Sequence, residues 1–159
     1  MNNQLVYRYF KQYQELFGNT VYTKKKTKTS FNVSGVIDSN FVFIKDYSTN
    51  KNEIDIFNKI LKALNMLPEK ILVIDCLGTN YKKDDSLISF IKKLSLKDII
   101  IFGEEISQYI LKTDKDIQEM RKNNNIFNNT NIIPTYSIKD IIVNIDLKKR
   151  VWNDIKVIR

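Results

Sequence analysis

The stretch KDIIIFGEEISQYILK (97–112) decides how this chain is read. KDIIIFG (97–103) is all-apolar at its centre and β-branched, which predicts a strand covered on both faces. EEISQYILK (104–112) predicts the helix that follows, with two acids in its first turn, where the helix dipole favours them.

Working outward, the same alternation repeats. KILVIDC (70–76) predicts a strand, Gly78-Thr79-Asn80 a turn, and DSLISFIKKL (85–94) a helix. That helix takes Asp85 or Ser86 as N-cap and turns Leu87, Ile88, Ile91 and Leu94 inward. Earlier, FVFIKDY (41–47) predicts a buried strand. EIDIFNKILKALN (53–65) follows, with Ile54, Phe57, Ile60, Leu61 and Leu64 at helical spacing and Pro68 closing the unit. Residues 113–130 are polar and Asn-rich, a loop or a loosely held helix. NIIPTY (131–136) is the fourth strand, and Pro134 near its end is tolerable. Asp146 to Ile158 closes the chain as a helix with Leu147, Val151, Trp152, Ile155 and Ile158 on one side. Four strand–helix units predict an α/β fold: a three-layer α/β/α sandwich around a four-stranded parallel sheet.

This body spans 31–159. Ahead of it, residues 1–17 place Val6, Tyr9, Phe10, Tyr13, Leu16 and Phe17 on one helical stripe. Gly18-Asn19 is a helix stop, and TVYTKKKTKTS (20–30) reads as an extended basic arm or linker. Residues 1–30 therefore form a separate unit, an N-terminal helix and a basic arm. The first residues carry Arg8 and Lys11 and no small-residue cleavage site, so no secretory signal is expected. No apolar run reaches the roughly 18–20 residues a bilayer demands, and a soluble cytoplasmic protein is expected.

Composition narrows the chemistry. The 159 residues include no His and one Cys, Cys76. An internal disulfide, a Cys/His zinc site, a four-cysteine iron–sulfur cluster, and Ser–His or Cys–His nucleophile pairs are all excluded. Four glycines form neither a P-loop nor a dinucleotide fingerprint. The net charge of +8 invites a nucleic-acid partner and leaves room for weak direct binding. The abundance of Lys, Asn and Ile, whose codons are A/T-rich, accounts for the same charge without one.

In an open α/β sheet ligands sit beyond the carboxyl ends of the strands. Those ends carry Lys45, Asp46, Tyr47 and Ser48; Asp75, Cys76 and Gly78; Gly103 and Glu104; and Tyr136, Ser137 and Lys139. Asp46 is a general-base candidate or merely starts a turn. Ser137 and Lys139 would bind phosphate, or are an N-cap and a solvated lysine. Cys76 reads as a small buried apolar residue. Asp84-Asp85 and Glu104-Glu105 read as helix starts.

The order of elements resembles the bacterial uracil-DNA glycosylase superfamily. KDIIIFGEEISQYIL is similar to its third strand, turn and helix, and Asn131 to Ile158 to its last strand, active-site loop and closing helix. Pro134-Thr135-Tyr136 and Trp152 are the most specific points. The departures matter: where that superfamily has a His-Pro-Ser start, this chain has Ser137, Ile138 and Lys139. Where it has a Gly-Glu-Ala-Pro-Gly loop, this chain has Lys45-Asp46-Tyr47-Ser48-Thr49. The resemblance thus implies a retained frame with a dismantled pocket, no catalytic residues and no cofactor, with Asp46 and Ser137 as vestigial positions.

A catalytically silent relative of that fold is the psi-subunit family of bacterial DNA polymerase III. Gly18, Thr20, Tyr22 and Lys24 to Lys26 resemble its N-terminal arm, and Ser137, Asp140, Asn144, Lys148 and Trp152 its C-terminal spacing. This resemblance implies an arm of Thr20, Val21, Tyr22, Lys24, Lys25 and Lys26 that engages the clamp-loader collar. It implies a body that holds a chi-like subunit, with an indirect link to single-stranded-DNA-binding protein. The alternative is a divergent uracil-DNA glycosylase or a repair protein binding damaged bases, with Asp46 positioning water. A third is non-specific DNA binding through the basic surface.

Overall fold

The structure, a computed structural model, describes residues 30–83 and 85–158. The expected N-terminal helix and the arm residues Thr20, Val21, Tyr22, Lys24, Lys25 and Lys26 lie outside the described residues.

Six strands make one mixed sheet: β1 (Phe31–Gly35), β2 (Phe41–Asp46), β3 (Leu72–Cys76), β4 (Asp98–Phe102), β5 (Asn125–Phe127) and β6 (Thr130–Thr135), in the order β1-β3-β2-β4-β6-β5. The four strands read from the sequence form its parallel centre. The expected four-stranded parallel sheet is corrected at both edges, where β1 runs antiparallel to β3 and β5 antiparallel to β6. Neither edge has a strong signal. β1 is mostly exposed, so no apolar run marks it. β5 has three residues inside the polar 113–130 stretch and is pinned by a two-residue turn. Asn128 (φ 51°) and Asn129 (φ 63°) are both left-handed there, as a tight hairpin requires.

Among the described residues six α-helices cover the sheet. They are α1 (Lys51–Ala63), α2 (Ser86–Lys92), α3 (Glu104–Leu111), α4 (Ile117–Lys122), α5 (Ile138–Val143) and α6 (Leu147–Ile155), with a 3₁₀ turn at Lys156–Ile158. Helix α4 resolves the 113–130 stretch, read as a loop or a loosely held helix, in favour of a short helix at its centre. Asp116 caps it by accepting from the Glu119 N–H at 2.8 Å, and Ile117 and Met120 are buried. At α2 the residue preceding the helix is Asp85, but its side chain makes no capping hydrogen bond.

Strand alternation sends side chains to two cores. Phe43, Val73, Ile100 and Ile133 pack under α1, α4, α5 and α6. Val42, Ile44, Leu72, Ile74, Ile99, Ile101 and Ile132 pack under α2 and α3. Every residue of β4 is buried, as its apolar centre predicts. Phe43, Phe57 and Phe102 meet with ring centroids 6.0–6.5 Å apart and tie α1 to the sheet. Pro134 is accommodated because Thr135 faces β4, its carbonyl accepting from the Gly103 N–H at 2.9 Å. The proline nitrogen therefore points the other way, past the last β5 pairing at Ile132, where no ladder bond is needed.

Candidate functional site

The chain leaves β2 through α1 to reach β3, then returns through α2, on the opposite face, to β4. The crossovers change face at the β2/β4 boundary, and a crevice opens there by topology. It is an open cleft of about 540 Å³, with Asp46 and Tyr47, Gly78 and Tyr81, and Gly103 to Glu105 on its walls. Ser137, Lys139 and Asp140 complete it from the loop after β6.

Asp46 and Ser137 are thus brought together, as sequence reasoning expected of the strand ends. The hollow between them is not filled. Tyr47 is exposed on its wall, whereas Tyr136 turns away beneath the Arg121 guanidinium, 4.7 Å from the ring centroid. The Tyr136 hydroxyl accepts from Arg121 at 3.2 Å and Arg150 at 3.3 Å. Lys45 and Asp75 are also absent from the cleft. They face each other in register on β2 and β3 as an ion pair, with the Lys45 ammonium 5.1 Å from the Phe57 ring.

Most polar groups of the cleft are occupied by the frame. The Ser137 hydroxyl accepts from the Asp140 N–H and the Asp140 carboxylate accepts from the Ser137 N–H, both at 3.1 Å. This capping box starts α5, so the N-cap reading of Ser137 holds. Glu104 accepts from the Ile117 N–H at 2.9 Å and so fixes the start of α4. Glu105 pairs with Lys82 at 2.7 Å, which holds its carboxyl below the usual range. Gly103 takes φ 118° between β4 and α3. A side chain there would have room, its Cβ lying 3.7 Å from that of Ser137; the backbone angle is what demands glycine.

Asp46 is the carboxylate that stands apart. Among the described residues its carboxylate accepts no hydrogen bond, and burial pushes its pKa above the ordinary 3.8. Lys139 and Lys45 draw it back down, while Glu105 and Glu53 push it further up. Beside it in register on β3, Cys76 is fully buried, its thiol pushed up to about 12 chiefly by burial. Tyr81 is buried too, and burial raises its hydroxyl pKa. Its ring meets Tyr109 edge-on at 5.3 Å. Sequence reasoning missed Tyr81 as a wall residue, because a lone aromatic in a polar loop carries no periodic signal.

The lining carries four carboxylates, Asp46, Glu104, Glu105 and Asp140, against one lysine, Lys139. Among the described residues no group of three or more Cys, Asp or Glu is placed to hold a metal ion. No helix of the described residues is long and apolar enough to cross a membrane.

No family model matches this chain, and no curated protein matches it in sequence. The α/β architecture with its mixed six-stranded sheet is what the structure establishes.

Proposed function

We propose that the chain is a non-catalytic accessory subunit of the bacterial replicative DNA polymerase III clamp-loader complex, built on a uracil-DNA glycosylase-like frame. Its basic N-terminal arm engages the clamp-loader collar, and its α/β body holds a chi-like subunit. The acid-lined rim is the observation that carries the non-catalytic half of this reading. A glycosylase must bring a polyanionic strand to its pocket and read the extruded base through free donors and acceptors. Here four carboxylates face one lysine, and Ser137, Asp140, Glu104 and Glu105 are tied into caps and an ion pair. The arm and its partners rest on the resemblance in residues 18–26 and 137–155.

Co-purification of the native chain with clamp-loader components and a chi-like partner tests the proposal. Tyr22→Ala is expected to weaken collar binding by roughly 1–2 kcal/mol as an aromatic anchor. Failure to co-purify with either partner removes the reading.

A second reading, a divergent uracil-DNA glycosylase or base-binding repair protein, is favoured by one observation: the cleft is open and Asp46 stands in it without a hydrogen-bond partner among the described residues. Uracil release from a uracil-containing oligonucleotide, lost on Asp46→Asn, supports it. No release at high enzyme concentration excludes it.

A further inference from the structure

We infer that the trough between α1 and α6 is a docking groove for an acidic amphipathic helix of another protein. This deepens the scaffold reading by naming the surface through which the body holds its partner, and rests on that reading for the partner's role.

The helices that flank the trough spend their inner faces on the sheet. Phe57 and Leu61 of α1, and Val151 and Ile155 of α6, are buried in one core. Between their outer flanks lies a hollow of about 250 Å³. Ile56, Ile60 and Ala63 form one wall, Trp152 the other, and Ile141 of α5 the floor. An apolar cavity of about 150 Å³ takes a benzene-sized guest, so this hollow has room for more than one side chain. It continues past Ile141 into a second hollow of about 310 Å³, reached by Ile142 and Ile145. Ile142 is 40% and Ile145 67% exposed, and the neighbouring Val143 is 88% exposed. An elongated apolar trough between two helices suits anchors at i, i+3 and i+7 of a third.

Charge selects the occupant. Lys59 of α1 and Lys148 of α6 stand on opposite walls of both hollows, against one carboxylate, Asp55 of α1, in the second, so the trough lining keeps a positive excess. Both lysines are exposed, and neither forms an ion pair among the described residues. Two unpaired cations beside an apolar floor complement a helix with leucine-like anchors and carboxylates on its flanks. A second copy docked groove to groove would bring the same lysines together. Residues 1–17 carry Arg8 and Lys11 against Glu15 alone, which gives that segment the wrong sign as well.

The test uses the full chain and a fluorescent synthetic helical peptide with leucines at i, i+3 and i+7 and glutamates on its flanks. A control peptide has lysines in place of the glutamates. Anisotropy titrations at low salt are expected to show saturable binding of the glutamate peptide, about tenfold tighter than the control. Lys59→Glu with Lys148→Glu should reverse that preference while the thermal midpoint stays put, since both residues are exposed. Ala63→Gln, which plugs the hollow from an exposed position, should weaken binding of either peptide. Absence of saturable binding, or a preference indifferent to the reversal, overturns the inference. So does binding that emerges only in Phe10→Asp/Tyr13→Asp, which would make the chain's own first residues the occupant. Concentration-dependent dimerisation abolished by Lys148→Glu would assign the groove to a second copy and overturn it too. Peptide binding without co-purifying clamp-loader components keeps the groove and removes the polymerase reading; the converse keeps the subunit and removes the groove.

Discussion

Replacing Asp154 by Ala is expected to destabilise the fold more than any other single surface-proximal change at the α4–α6 seam. Asp154, on α6, is 12% exposed in its side chain, and its partner Arg121, on α4, 16%. The pair is bidentate, with Arg121 Nε donating to Oδ2 at 2.6 Å and Nη2 to Oδ1 at 2.8 Å. The Thr135 hydroxyl of β6, fully buried, donates to the same carboxylate at 2.6 Å. One carboxylate thus joins two helices to the sheet. Removing it strands a largely buried guanidinium, for which breaking a pair costs about 3–5 kcal/mol. The residual exposure argues for about 3 kcal/mol, to which the orphaned Thr135 hydroxyl adds about 1 kcal/mol. For a domain of this length the resulting loss of about 4 kcal/mol corresponds to a fall in Tm of roughly 8–16 °C. Trp152, the one tryptophan of the chain, lies two residues away on α6 and reports unfolding in urea by its fluorescence. The double replacement Arg121→Met/Asp154→Leu should be less damaging than Asp154→Leu alone, because no charge is left buried without a partner. A loss under about 1 kcal/mol for Asp154→Ala, or a strictly additive double mutant, would refute the reasoning.

Three further outcomes are expected. Ser137→Ala should cost about 1 kcal/mol in urea unfolding by removing the α5 cap, with no effect on binding of any oligonucleotide; an oligonucleotide-specific defect would restore a ligand role to Ser137. Asp46 ionises above its ordinary value in the fold, so the folded chain holds the extra proton and stability falls as pH rises from 3.8 through the raised value. Asp46→Asn should match the parent below that window and melt higher above it, and a mutant that melts lower at neutral pH contradicts the burial argument. Cys76, buried with its thiol near 12, should resist a disulfide reagent at pH 8 until denaturant is added, whereas prompt reaction in the native protein would show that the core under the cleft opens readily.

The parallel centre of the sheet was legible because each of its strands is an apolar run followed by a helix signal. Ile99-Ile100-Ile101 cannot be placed anywhere but between two covering layers. The two edge strands were not legible, for the complementary physical reason. Phe31–Gly35 buries little, and Asn125–Phe127 is held by its turn and by pairing to β6, so hydrophobic patterning marks neither. The same stretch left loop and helix both open, because the six residues of α4 hold only two buried apolar side chains, Ile117 and Met120. The site was half legible. The topological rule names the loops that line the cleft, and Asp46 and Ser137 do meet there. What no sequence rule supplies is how each polar group is spent. Glu104 reads as a helix-start acid, and its bond to the Ile117 N–H thirteen residues on depends on tertiary packing.

The chain's overall +8 and its acid-lined cleft are reconciled by where the cations fall. Six basic residues, Arg8, Lys11, Lys24 to Lys26 and Lys28, stand against Glu15 alone in residues 1–30. The cleft, by contrast, is lined by four carboxylates and Lys139, and of the four only Glu105 has an ion-pair partner among the described residues, Lys82. A phosphate backbone follows the cations, because counterion release rewards contact with lysine and arginine and nothing rewards contact with carboxylates. Any nucleic-acid affinity of the whole chain is therefore expected to reside outside the cleft. The frame can keep its crevice, which the change of face between β2 and β4 imposes on any sequence that adopts this topology. An open hollow above the sheet is thus a consequence of strand order, and its wall charges are the better guide to use.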